Sequence, residues 1–255
     1  MSGLTTSTRR DDVDRTTVHL VRHGEVYNPD GILYGRSGGF FLSDRGLAMA
    51  DRVAERIGDR DITHLVSSPL ERAQQTAAPL ARARGLDITL DERVLESSNL
   101  FEGKRFSLED SILKNPSMWP HLLNPFRPSW GEPYLDVAAR MWSAVQDARR
   151  AAAGHEAVIV SHQLPIWITR LYAEGRPFLH NPRSRECTLC SVTSLTFVGD
   201  RLTEIDYSEP AGDLIPEQDR HAAFSAGTGF TGFTPDRDRS PGAVPGDGPE
   251  ADRSA

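Results

Sequence analysis

The sequence predicts an α/β domain, and three stretches carry that prediction. Val18-His19-Leu20-Val21, His64-Leu65-Val66-Ser67 and Ala157-Val158-Ile159-Val160-Ser161 are short apolar, β-branched runs that read as buried strands. Segments with helical spacing of apolar residues lie between and after them, the alternation expected of an α/β fold. Two of the strands also end unusually. Arg22-His23-Gly24-Glu25 follows the first, and His162-Gln163 follows the last. Open α/β sheets build their ligand crevices at the carboxyl ends of strands.

Length and composition fit one such domain with extra segments. The 255 residues are 38% hydrophobic and 25% charged, ordinary for a soluble globular chain with polar tails. A net charge of −7 argues against general nucleic-acid binding, which needs a basic face. It leaves room for an anion held by a few local arginines. No apolar run is long enough for a membrane span, and the N-terminus lacks the hydrophobic stretch of a secretory signal. A cytoplasmic location is therefore the default expectation. Cys187 and Cys190 are the only cysteines. Their C-x-x-C lacks the further ligands a zinc site needs and leads into a strand, where thioredoxin-like motifs open a helix, so it reads as structural.

Taken in order, residues 1–16 are Ser/Thr/Asp/Arg-rich and read as a disordered tail. After Val18–Val21 and the turn at Gly24 come two polar loop segments, Val26-Tyr27-Asn28-Pro29-Asp30-Gly31 and Tyr34-Gly35-Arg36-Ser37-Gly38-Gly39. The glycines let backbone N–H groups approach a ligand, with Arg36 placed to face it; a flexible surface loop has the same composition. Ser43 is a good N-cap for a helix through about Arg56 that buries Leu47, Ala50, Val53, Ala54 and Ile57. The strand His64–Ser67 runs into Ser68-Pro69-Leu70-Glu71-Arg72, a tight turn and a helix start with Pro69 at or near its first turn. Arg72 falls in that turn, where free N–H groups and the helix dipole favour an anion. Alone it would be a solvated surface residue. Beside Arg22 and His23 it makes an anion clamp.

Asp87–Leu90 reads as a third strand, with Glu96 on the loop beyond it. Phe101–Pro133 is irregular, with Trp119, Phe126 and Trp130 among prolines, and suits a cap over a crevice as well as an ordinary excursion. Glu132–Ala153 reads as a helix burying Leu135, Ala138, Ala139, Trp142 and Val145. After His162, Leu164-Pro165-Ile166 opens another helix. One strand-end histidine is commonly a satisfied core residue; two suggest a shared site. Ser191–Phe197 and Arg201–Tyr207 form a final hairpin, and residues 209–255 read as a disordered tail.

Three of these stretches, Leu20–Glu25, Ser67–Ala77 and Val160-Ser161-His162, resemble in order the motifs of the histidine phosphatase superfamily, also called phosphoglycerate-mutase-like. The resemblance runs from about Val18 to Tyr207. It implies a three-layer α/β/α sandwich with a central, mostly parallel sheet over residues 17–208, carrying an insertion around 101–133. It implies that His23 is the nucleophile, that Arg22 and Arg72 bind phosphate, that His162 completes the pocket and that Glu96 is the general acid. Asn28, Gly35, Arg36 and Gln163 are further candidate substrate contacts. The expected partner is a small phosphorylated substrate, with no metal, cofactor, nucleic acid or membrane; a homodimer is compatible with the sequence.

The residue chemistry agrees. A neutral imidazole nitrogen attacks phosphorus when its other nitrogen is held, guanidiniums match the equatorial oxygens, and a buried carboxylic acid protonates the leaving alkoxide. Some positions depart from the family pattern: Val26 and Pro29 follow the nucleophile where a threonine or serine and an asparagine are common. Ser97-Ser98 follows the acid, and Gln163-Leu164 follows the second histidine. The stretch typical of glycolytic mutases is missing, although Lys104, Arg105 and Arg127 are available to a second charge. That favours a phosphatase over a mutase. His23, Glu96 and His162 are all present, which weighs against a non-catalytic phospho-ligand binding module.

Overall fold

The structure, a computed structural model, describes residues 15–98, 102 and 131–216. Most of both expected tails and nearly all of the expected insertion, with its tryptophans and basic residues, lie outside the described residues.

One six-stranded sheet organises the chain, in the order β3-β2-β4-β1-β5-β6. Its strands are β1 (Arg15–Arg22), β2 (Ile62–Ser67), β3 (Thr89–Leu90), β4 (Glu156–Ser161), β5 (Val192–Val198) and β6 (Arg201–Ser208). The β3, β2, β4 and β1 strands run parallel; the β5–β6 hairpin adds to β1 antiparallel. The helices are α1 (Asp44–Ile57), α2 (Glu71–Arg84), α3 (Tyr134–Ala151) and α4 (Gln163–Ala173). Two pack on each face. Val18, Leu20, Ala157 and Ile159 meet α3 and α4, whereas Val21, Leu65, Val158 and Val160 meet α1 and α2. The three-layer expectation holds, and β1 is buried along nearly its whole length because helices cover both faces.

Several local expectations shift. The β1 strand starts at Arg15, with Thr16 and Thr17 already buried, and Ala211 and Ile215 still pack into the core beyond β6. Only Thr89 and Leu90 of the third strand pair with β2, after the chain leaves α2 through the left-handed cap at Gly85. Ser43 caps α1 as expected, accepting from the Gly46 N–H at 3.0 Å, but Leu47 is 38% exposed and Met49 takes its place in the core. The cause is Gly46: it packs against the Glu25 backbone so closely that a Cβ would collide with the Glu25 carbonyl, which turns the 46–49–53 side inward. Pro69 lies outside α2, whose N-cap is Leu70. On α3, Leu135 is 69% exposed and Ala139 is exposed too; Val137, Met141 and Ala148 supply the buried stripe instead.

Cys187 and Cys190 are free and buried, and burial pushes the Cys190 thiol up to about 12. That matches the structural reading of the C-x-x-C. Among the described residues no helix is long and apolar enough to cross a membrane.

Candidate active site

Three parallel strands end at one edge of the sheet and bring the predicted groups together. Arg22 is the last residue of β1, paired in register with Ser161 of β4, and the His23 N–H donates to the Ser161 carbonyl at 3.1 Å. Ser68, just past β2, donates its N–H to the Val160 carbonyl at 2.9 Å. The same ladder therefore sets the heights of Arg22, His23, Ser68 and His162. The chain leaves β1 at Gly24, where a Cβ would come within 2.7 Å of the Gly46 carbonyl. Only glycine allows that approach.

His23 is buried, and its Nδ1 lies 2.8 Å from the carbonyl of Gly24. A carbonyl only accepts, so Nδ1 carries the proton and Nε2 presents a lone pair. Burial, then the charges of Arg72 and Arg22, hold the imidazole pKa well below its ordinary value. His162 is buried, its ring centroid 5.1 Å from that of His23. Burial, then Arg72, holds its pKa down as well. Its Nε2 lies 2.8 Å from Ser68 Oγ, while Nδ1 has no hydrogen-bond partner among the described residues. With Ser68 donating to Nε2, the free Nδ1–H is a donor for a ligand oxygen.

Arg72, in the first turn of α2, is fully buried. Its Nη2 donates to the Gly35 carbonyl at 2.5 Å and its Nη1 to Ser37 at 3.4 Å, leaving Nε without a partner among the described residues. Arg22 donates from Nη1 to the Cys187 carbonyl at 2.6 Å. Two guanidiniums whose charges act on a neutral imidazole can together bind an anion.

Glu96 sits on the loop after the 3₁₀ turn Glu92–Val94. Burial raises its pKa, against opposing pulls from the Ser97 N–H at 2.9 Å and from Arg72 and Arg22. A raised carboxyl beside the arginines is a proton donor in waiting.

The weaker candidates have other partners. Asn28 turns its amide back on its own loop, donating to the Ile32 carbonyl at 2.8 Å and accepting from the Ile32 N–H at 3.0 Å. Gly35, at φ +43, supplies its carbonyl to Arg72. Arg36 donates from Nε to the Glu96 carbonyl at 2.6 Å and from Nη2 to Glu132 at 2.9 Å, so it supports the acid loop instead of facing an open pocket. Gln163 stands 3.5 Å from both the Cys187 carbonyl and Arg185 Nη1.

Two further residues join the site. Tyr34 lies under the Arg72 guanidinium, 4.6 Å from Cζ to ring centroid, and meets the His23 ring edge-on at 6.3 Å. Arg185 is held through Nε by His180 Nε2 at 2.9 Å, and its charge acts on Glu96. Neither carried a sequence signal, because both arrive from irregular segments.

Residues 18–209 match the family model of the histidine phosphatase superfamily (branch 1). The chain belongs to this superfamily. The uncharacterized protein Rv0525 of Mycobacterium tuberculosis is 54% identical over 198 residues, covering 78% of this chain and 98% of its own. The probable phosphoglycerate mutase GpmB of Yersinia pestis is 30% identical over 198 residues, covering 75% of this chain and 85% of its own. Among solved structures, Bacillus stearothermophilus YhfR superposes with a TM-score of 0.63 at 27% identity, covering 74% of this chain and 94% of that one. Within this histidine phosphatase superfamily chain, the matched region spans every candidate catalytic group described above. General phosphoryl-transfer chemistry agrees with that membership.

Proposed function

We propose that the protein is a metal-independent phosphatase that hydrolyses a small phosphomonoester through a phosphohistidine on His23. The observation that carries the reading is the Nδ1–Gly24 carbonyl contact, which leaves Nε2 unprotonated in a buried pocket between two arginines. His23 Nε2 attacks phosphorus and the ester P–O bond breaks. The Glu96 carboxylic acid gives its proton to the departing alkoxide. Water then attacks the phosphohistidine, the Glu96 carboxylate takes the water's proton, and the P–N bond breaks to free inorganic phosphate and His23. Arg22, Arg72 and the His162 Nδ1–H hold the equatorial oxygens throughout. Their fixed charges supply the stabilisation that a divalent cation gives in other phosphoryl transferases.

The expected result is hydrolysis of p-nitrophenyl phosphate that persists in EDTA. Loss of turnover in EDTA, restored by a divalent cation, overturns the metal-independent mechanism. The likeness to GpmB supports one second reading, a phosphoglycerate mutase. Incubation with 3-phosphoglycerate separates the two: a phosphatase releases inorganic phosphate, whereas a mutase forms 2-phosphoglycerate and releases almost none.

Arg185 also bears on substrate choice. It has no carboxylate within ion-pair distance among the described residues and stands one side chain, Gln163, from the Cys187 carbonyl that holds Arg22. Arg185→Met is expected to raise KM about tenfold for esters with a carboxylate next to the phosphate, the size of one charge-assisted pair. For p-nitrophenyl phosphate KM should stay nearly constant, and equal changes for both would remove Arg185 from recognition.

A further inference from the structure

The backbone that carries Glu96 is gripped by side chains with no part in the chemistry above. Arg140 of α3 donates from Nη1 to the carbonyls of Arg93 at 2.6 Å and Leu95 at 2.7 Å. Arg36, from the loop after β1, donates from Nε to the Glu96 carbonyl at 2.6 Å. Both guanidiniums then converge on one carboxylate, that of Glu132. Arg140 reaches it in bidentate fashion, Nε to Oε1 at 2.8 Å and Nη2 to Oε2 at 2.9 Å, and Arg36 Nη2 adds a third bond to Oε2 at 2.9 Å. The Glu132 N–H in turn donates to the carbonyl of Ser98, two residues past the acid, at 3.2 Å.

This arrangement differs from an ordinary surface ion pair. The Glu132 and Arg140 side chains are only 15% and 16% exposed. Exposed pairs contribute about 0–1 kcal/mol and hold no fixed geometry, whereas a bidentate pair sheltered from water fixes the planes of both groups. The carbonyls of residues 93, 95 and 96 belong to a 3₁₀ turn and a loop, with no strand to align them. Their alignment comes from this three-residue clamp, which also ties α3 and the post-β1 loop to the acid.

We propose that Arg36, Glu132 and Arg140 form a positioning clamp that holds the proton donor Glu96 in register with the phosphoryl group on His23. Glu132 is its keystone, because its carboxylate accepts from both arginines, three bonds at 2.8–2.9 Å. The inference rests on the proposed phosphohistidine reading, with Glu96 as acid. Misplacement of a reacting group by about 1 Å costs up to about 10²-fold in rate, so a loosened clamp should act on proton delivery and spare other steps.

The test uses the full chain and leaving groups that differ in their need for a proton. The p-nitrophenolate ion departs unprotonated, while phenolate from phenyl phosphate needs an acid. The comparison is in kcat/KM, which ends at departure of the phenol and excludes hydrolysis of the phosphoenzyme. In E132Q and in R140M, kcat/KM for phenyl phosphate is expected to fall about 10- to 100-fold and that for p-nitrophenyl phosphate less than about threefold. Combined with E96Q, E132Q should add no further loss on phenyl phosphate, because two residues acting through one group are non-additive. R140K, which keeps the charge but not the fork, should recover only part of the activity.

Equal losses on both esters, or a full additional loss in the E96Q background, would show a merely structural role and overturn the clamp. So would unchanged activity on phenyl phosphate. Failure of the underlying reading looks different: there the wild type and His23→Ala turn over both esters alike.

Discussion

His23→Ala is expected to abolish turnover, with kcat/KM for any phosphomonoester down by at least about 10⁴-fold, the scale seen when a covalent nucleophile is removed. The size follows from the site. The proposed phosphate-binding groups Arg22, Arg72 and His162 remain, but the imidazole nitrogen whose lone pair is fixed by the Gly24 carbonyl is gone. Water would have to attack directly in a pocket built for an in-line imidazole. Steady-state kinetics with p-nitrophenyl phosphate checks this, together with a phosphate-binding measurement. Retained binding of inorganic phosphate by the variant would show that the pocket is still formed. Wild-type-like turnover would remove His23 from the mechanism.

The second large effect is at Glu96. An ordinary glutamic acid (pKa about 4.3) loses its proton at a pH where an ordinary histidine (about 6.5) is still protonated. Neutral nucleophile and protonated acid would then scarcely coexist. The fold closes that gap from both sides. Burial raises the Glu96 carboxyl, and burial plus two arginines lowers His23. The reactive pair of neutral imidazole and carboxylic acid is therefore more populated than the ordinary groups would allow. The profile of kcat/KM against pH should rise as His23 deprotonates, below its ordinary range, and fall as Glu96 deprotonates, above its ordinary range. Glu96→Gln is expected to lower kcat/KM for phenyl phosphate about 10²- to 10³-fold, equivalent to roughly 3–4 kcal/mol of barrier, and to erase the alkaline limb. An alkaline limb that persists unchanged in the variant would assign it to another group.

How much of this was legible beforehand depended on whether the signal was local. The three strands, the Ser43 cap and the placing of Arg72 in a first helical turn are patterns of a few adjacent residues, and they appear where expected. His23 and His162 could be paired because both end buried parallel strands, so ladder register alone brings them to one edge. Glu96 was placed by resemblance and by its position after β3, although only two residues of that strand pair. Arg36 illustrates the limit. Its neighbouring glycines suggested a ligand-facing loop, but its actual partners, the Glu96 carbonyl and the Glu132 carboxylate, lie 60 and 96 residues away in the chain. Tyr34 and Arg185 escaped for the same reason. Leu47 and Leu135 show the complementary failure, since spacing gives a helix its stripe only to within one residue's rotation, and a close glycine contact at Gly46 decided the matter for α1.

The proposed phosphoryl group on Nε2 of His23 can be trapped directly. Mixing enzyme with substrate, quenching in alkali and mapping the label by mass spectrometry, with ³¹P NMR to tell the two phosphohistidine isomers apart, reports both residue and nitrogen. An acid-labile, alkali-stable phosphate on Nε2 of His23 is expected, because Nδ1 is committed to the Gly24 carbonyl. Label on His162, on the Nδ1 nitrogen, or no phosphoenzyme during undiminished turnover would contradict it.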